Sequence, residues 1–123
     1  MDDRQTMICI CNGRFYGGGF NPVPTADPCD GLLDVLLVKH VSRLLVPLVI
    51  GKYKDGRYAE LPHLVRHFRT KELKILCDKP TAINLDGELR VAQEVEISVA
   101  KEKILFFYPK ELTYQLDTQP ACV

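Results

Sequence analysis

Neither sign of charge prevails in this chain: sixteen lysines and arginines offset sixteen aspartates and glutamates. No global field therefore draws the protein to nucleic acid or to an acidic membrane, and any such attraction has to come from a local patch. Long apolar runs are missing too. No segment approaches the length of a transmembrane helix, and Met1-Asp2-Asp3-Arg4 has no apolar stretch of signal-peptide type. There is no P-loop, no internal repeat and no low-complexity stretch. Paired metal-binding cysteines are absent as well. The five cysteines are irregularly spaced; Cys9 and Cys11 lie two apart in an alternating run, on one face of a strand. Small buried hydrophobes are the expectation there, rather than zinc ligands, and reduced thiols suit a cytosolic compartment.

What is present is ordinary for a folded domain. The 123 residues are 46% hydrophobic and 26% charged, enough for one compact core and short for two. Residues 7–11 are apolar and β-prone, and Asn12-Gly13 is a turn signal. Arg14-Phe15-Tyr16-Gly17-Gly18-Gly19-Phe20 contains three adjacent glycines, which mark unusual backbone or a close approach. Residues 21–31, with three prolines and an Asp-Gly, read as loop. Residues 32–38 are apolar apart from Asp34 and have strand length, as in a central strand. Ser42 is placed to cap a helix over residues 43–52, which Pro47 must kink or limit, with Leu44, Leu45, Leu48 and Val49 on one side. A second helix is expected from Leu61-Pro62, because Leu61, Leu64, Val65 and Phe68 have helical spacing. After Thr70 the period becomes two: Leu73, Ile75 and Cys77, then Val95, Ile97 and Val99, alternate as in half-buried antiparallel strands. Residues 104–107 suggest a last strand ended by Pro109, and the tail beyond Leu112 is expected to fray or to attach to a neighbour.

Three segments invite a chemical reading: Asn12-Gly13-Arg14-Phe15-Tyr16-Gly17-Gly18-Gly19, Pro24-Thr25-Ala26-Asp27-Pro28-Cys29-Asp30-Gly31-Leu32-Leu33-Asp34, and Asn84-Leu85-Asp86-Gly87-Glu88. Singly, each reads as a loop or a plain Asp-Gly turn. His63 and His67, four apart on the expected second helix, lack an H-E-x-x-H pattern and a third ligand, so a solvated or half-buried pair is expected. Lys52, Lys54, Arg57, Arg66, Arg69, Lys71 and Lys74 form a local basic excess, either plain surface or a surface for anionic headgroups.

Together and in this order, the three segments resemble the C-terminal domain of the bacterial diacylglycerol kinase and related lipid-kinase family, which includes the sphingosine and ceramide kinases. The resemblance runs over residues 8–109, nearly the whole chain. It implies a mainly β fold, an antiparallel β-sandwich with two short helices over residues 1–123. A separate nucleotide-binding domain would sit beside it, with the active site in the cleft between them. That first domain carries a G-G-D-G-T motif for the ATP phosphates, which this chain lacks, so the chain is not expected to turn over ATP alone.

Carried onto matched positions, the resemblance implies a structural Mg2+ held by the Asp30 carboxylate and the backbone carbonyls of Asp27 and Leu32. It makes Asp86 or Glu88 the general base toward a lipid hydroxyl, diacylglycerol foremost, with the two left as alternatives. A second magnesium would accompany ATP, and Gly17, Gly18 and Gly19 would let backbone approach the nucleotide cleft. The implied partners are the lipid substrate, the nucleotide-binding domain and, transiently, a membrane surface; nucleic acid is not expected, and a homodimer is left open. The implied location is cytoplasmic, in peripheral contact with the inner membrane face. Two other classes explain part of the sequence: a non-catalytic β-sandwich binding a lipid or protein, and a kinase acting on a soluble molecule such as NAD, which the P-x-A-x-x-D-G segment fits less well.

Overall fold

The computed structural model describes residues 5–104. Its elements run β1 (Gln5–Cys11), β2 (Leu33–Lys39), α1 (Val46–Lys54), a single 3-10 turn (Tyr58–Glu60), β3 (Val65–Thr70), β4 (Glu72–Leu85) and β5 (Glu88–Ser98). They build two antiparallel sheets, one in the order β1-β2-β3 and the other a β4-β5 ribbon. The mainly β, sandwich-like expectation holds.

β2 is the central strand that its apolar run suggested, because it pairs with β1 on one side and β3 on the other. Side chains alternate along a strand, so the register sorts residues into faces. Cys11, Asp34 and Arg69 share one face with Cys9, Leu36 and His67, and with Val38 and Val65. That face carries the core: Cys11, Leu36, Val38 and Val65 pack against Val23 and Ala26 of the β1–β2 connection and Val49 and Tyr53 of α1. Each large aliphatic side chain buried there contributes roughly 1.5–3 kcal/mol. On the reverse face Ile10, Val35 and Phe68 align, followed by Ile8, Leu37 and Arg66.

Both expected helices need correction. α1 starts at Val46, not Arg43, with Leu45 at its N-cap and no side-chain cap; Ser42 instead offers its carbonyl to the Leu45 N–H at 3.0 Å. Pro47 has no N–H to donate, so the helix begins around it rather than running through it. The buried face is Val49 and Tyr53, while Leu44 is 92% exposed and Leu48 also faces outward. The second helix does not form. Leu61 and Leu64 lie in tight turns against the core, and from Val65 the chain is a strand. Val, His, Phe and Thr suit a pleated, half-buried surface, and ladder pairing with β2 outweighs a helical spacing built from four apolar residues.

The turns also differ in use. Asn12-Gly13 only bends the chain out of β1, without positive φ, and the route to β2 is long. The tight hairpin lies at Asp86-Gly87, where φ is 49° and 103°, both positive as a two-residue type I′ loop requires. β4 and β5 extend well past the expected strands, with a bulge between Leu76 and Thr81. Of the expected strand at 104–107, Ile104 is irregular and the rest lies outside the described residues, as does the tail beyond Leu112.

Candidate active site

Two Asp-Gly turns and a glycine tip carry the residues in question, and each is held by different local bonds. In the first turn, Asp27 Oδ1 accepts the Cys29 N–H and Asp30 Oδ1 accepts the Leu32 N–H, both at 2.8 Å, while the Asp27 carbonyl accepts the Asp30 N–H at 3.3 Å. These side chains act as backbone mimics that fix the loop. The turn feeds directly into β2, where Asp34 is only 1% exposed.

Asp34 is the centre of a network that the sequence did not announce. Its Oδ1 lies 2.6 Å from His67 Nε2 and accepts the Arg69 Nε–H at 2.9 Å. His67 Nδ1 lies 3.1 Å from the Tyr58 hydroxyl. Arg69 also donates to the Thr25 carbonyl at 3.1 Å and stands 3.5 Å from Asp30 Oδ2. The bond to Asp34 raises the Arg69 pKa further, so this guanidinium stays charged. Asp34 Oδ2 is buried without a hydrogen-bond partner among the described residues. The sequence did not join Asp34, His67, Arg69 and Tyr58: it offered Asp34 only as a lone carboxylate in an apolar run, His67 as a half of a solvated pair and Arg69 as a part of the basic excess. His63 and His67 do not share a helix face. His63 sits in the turn before β3, and both nitrogens of His67 are engaged.

The donors expected to hold a cation are all oxygens, and the turn gathers Asp27, Asp30 and Leu32 within one loop. That chemistry fits a hard divalent ion. Arg69 brings positive charge to the same carboxylate, so an ion there shares Asp30 with a guanidinium. Among the described residues no group of three His, Cys, Asp or Glu side chains is placed to hold a metal. An ion would therefore rest largely on backbone carbonyls.

The second turn is the tip of the β4-β5 ribbon. Asn84 Oδ1 accepts the Gly87 N–H at 2.7 Å and locks the loop. Glu88 is paired with Arg90 at 3.0 Å, both largely exposed. Asp86 projects from left-handed backbone and has no hydrogen bond or ion pair among the described residues. The structure thus separates two carboxylates that the sequence left equivalent.

The glycine segment forms a three-residue tip. Tyr16 and Phe20 exchange backbone hydrogen bonds of 3.0 Å across Gly17, Gly18 and Gly19, whose φ values are 54°, 73° and 109°. Beneath it, the Tyr16 and Tyr53 hydroxyls lie 2.9 Å apart and Lys54 Nζ is 5.8 Å from the Phe20 ring centre. Cys9 and Cys11 share a face as expected, with sulfurs 3.5 Å apart. Hydrogen bonds from Cys11 and, less strongly, Tyr53 bring the Cys9 thiol down to about 7, while the same contacts and burial push Cys11 and Tyr53 up. Cys9, Cys11 and Cys77 are free thiols. No hydrogen bond or ion pair among the described residues joins residues 84–88 to the glycine tip or to Asp30.

Known proteins align with this chain along most of its length. Residues 1–107 match the family described as the YegS C-terminal NAD kinase beta sandwich-like domain. A provisionally named lipid kinase of Staphylococcus carnosus is 27% identical over 84% of this chain and 34% of its own length. Provisionally named YegS-like lipid kinases of Stenotrophomonas maltophilia and Shewanella frigidimarina are 32% and 31% identical, each over 81% of this chain and 32% of their own. The chain spans about a third of the length of the curated relatives it matches. Among the described residues, no helix is long and apolar enough to cross a membrane.

Proposed function

Because the chain belongs to the family of YegS C-terminal NAD kinase beta sandwich-like domains, we propose that it is the acceptor-side domain of an ATP-dependent lipid kinase, with diacylglycerol as the substrate phosphorylated. The observation that supports this reading is the ribbon tip: a locked type I′ turn presenting Asp86, a carboxylate without a partner among the described residues and one of the two that the family resemblance offers as the base. In this reading Asp86 accepts the proton of the lipid hydroxyl as that oxygen attacks the γ-phosphate. Glu88 is instead engaged by Arg90 at 3.0 Å, so in this reading it is a positioning residue beside the base.

The locked turn fixes the direction in which Asp86 projects, which limits the entropy lost when a hydroxyl docks against it. Asp30 would hold a magnesium ion with the Asp27 and Leu32 carbonyls, where the ion would brace the loop entering β2. Its positive charge, like that of Arg69, would offset the Asp30 carboxylate. The phosphates of ATP fall to the nucleotide-binding domain of the kinase, and Gly17, Gly18 and Gly19 form a small tip with open space around Gly18 and Gly19 for that domain to approach. The proposed setting is the cytoplasmic face of a membrane, where the lipid is met transiently.

The test is complementation. Mixed with the nucleotide-binding domain of a relative, the chain should transfer phosphate from ATP to diacylglycerol. Asp86→Asn should remove at least about 100-fold of that rate, the low end of the usual contribution of a general base, and Glu88→Gln should cost less. An inert mixture of two folded pieces would sink the reading in favour of a domain that binds without chemistry, and an Asp86→Asn variant as active as wild type would remove Asp86 as the base.

A further inference from the structure

The basic excess over residues 52–74 is mostly cancelled by the fold. Lys52 and Arg57 meet Glu60 at 2.8 and 2.6 Å, Arg69 meets Asp34 at 2.9 Å, and Lys74 meets Glu94 and Glu96 at 2.5 and 2.9 Å. Arg66 is left out of these pairs. It lies directly across from Leu37 on the reverse face of the three-stranded sheet, away from the core. There it lines a cavity of about 370 Å³ with Lys39, His63 and Gln5, against apolar walls that include Leu37 and Pro62. Among the described residues no aspartate or glutamate lines this cavity. None of Lys39, His63 and Arg66 forms an ion pair among the described residues.

Three features make this more than scattered surface charge. First, the backbone that carries the cations is fixed: the Lys39 N–H donates to the Leu64 carbonyl, and the Leu64 and Val65 N–H groups both donate to the Leu61 carbonyl, each at 2.9 Å. Second, the volume falls in the range of small-molecule sites, roughly 300–1,000 Å³. Third, the Lys39 ammonium and the Arg66 guanidinium line one concave, partly apolar space that holds no acidic side chain among the described residues, and Lys39 is half-buried. Like charges held together in this way repel until an anion enters. A guanidinium and an ammonium around one space match a phosphate group, the first by paired N–H donors and the second as a point charge.

We propose that this cavity binds a phosphate group, with Arg66 and Lys39 on its oxygens and His63 as a further hydrogen-bonding partner. The phosphate is either the headgroup of an anionic phospholipid or part of a soluble phosphorylated compound. The site is separate from the proposed base and from the Asp30 loop. Lys39 ends β2 and Asp34 is near its start, about 17 Å away along the strand at roughly 3.3 Å per residue. The inference stands on the cavity alone and does not require the kinase reading.

The full chain is titrated with inorganic phosphate while amide resonances are followed, and in a second arm is mixed with vesicles of phosphatidylglycerol in phosphatidylcholine or of phosphatidylcholine alone. Phosphate should shift the amides of residues 39, 63 and 66. Lys39→Gln with Arg66→Gln should weaken binding at least about tenfold, as expected when charge-assisted hydrogen bonds are lost. Lys39→Arg with Arg66→Lys should retain it, and Lys54→Gln with Lys71→Gln, outside the cavity, should leave it unchanged. Circular dichroism confirms that each variant is folded. Binding of the anionic vesicles that follows the same pattern identifies a headgroup; phosphate binding without vesicle binding identifies a soluble ligand. If phosphate shifts nothing at these residues, or if the Lys54 and Lys71 variant weakens binding as much as the cavity variant, the proposal is overturned.

Discussion

Asp34 concentrates more of this domain's polar energetics than any other described side chain. Moving a carboxylate out of water costs several kcal/mol, and only well-placed partners offset that cost. Asp34 has two, His67 and Arg69, both on Oδ1, and neither is fully buried. Asp34→Asn removes the charge while keeping the shape, so Arg69 turns to the Thr25 carbonyl, Asp30 and solvent. We expect a loss of about 1–3 kcal/mol in urea unfolding, in the range for a buried charged hydrogen bond. Arg69→Met alone should cost a similar amount, and the double variant less than the sum, because each single change strands the other partner. A neutral Asp34→Asn would mean that the two bonds only balance the desolvation. The carboxylate was visible in the sequence as the single polar residue in an apolar run. Its partners were not, because they lie 33 and 35 positions later, and only the β2–β3 register brings them to the same face.

At the level of elements, the strands were easier to read than the helices, and proline and glycine explain the difference. Period-two alternation after Thr70 led directly to β4 and β5, whereas the helical spacing of Leu61, Leu64, Val65 and Phe68 was matched by chance across a turn and a strand. α1 was recognisable, but its start was set by Pro47 rather than by Ser42, and its end by the chain reversal at Gly56. There φ is +69°, and a Cβ would overlap the Pro24 ring and stand 2.8 Å from the Asn21 carbonyl oxygen. The left-handed backbone alone costs a side chain on the order of 1 kcal/mol, and overpacking against a proline ring adds roughly 1–3 kcal/mol. Gly56→Ala should therefore lower stability by about 2 kcal/mol or more. Gly51, inside α1 with open space where its Cβ would stand, predicts the opposite sign: Gly51→Ala should gain roughly 0.5–1 kcal/mol. Thermal melts of the two variants decide the matter, and equal shifts would refute the close approach of α1's end to the β1–β2 connection.

On the scale of the whole molecule, the three-stranded sheet and the ribbon differ in how they are supported. β2 has strand neighbours on both sides and fully buried residues at Val35 and Leu36, whereas β4 and β5 pair with each other and leave Leu76, Leu85, Leu89 and Val91 exposed. An isolated two-stranded ribbon is marginal in water, so its stability beyond the first few pairs rests on what it packs against. The sequence conveyed the mainly β class and the three ordered motifs. It did not convey that the motif with the proposed base would stand at the far end of a fourteen-residue strand, β4, rather than next to the other two motifs. Strand length depends on cross-strand pairing, which alternation alone under-reports once the apolar period breaks, as in residues 78–84, where polar residues mix with Pro80, Ala82 and Ile83. Hydrogen exchange should show the consequence. In the chain alone, amides of residues 78–92 should exchange at least about tenfold faster than those of β2, because the ribbon opens locally while β2 exchanges only with broader unfolding. Joining the nucleotide-binding domain should slow the ribbon selectively if its tip faces that domain's cleft. Equal protection of ribbon and β2 in the isolated chain would show that the ribbon is supported as firmly as the core, and the base would then stand on a rigid arm before any partner arrives.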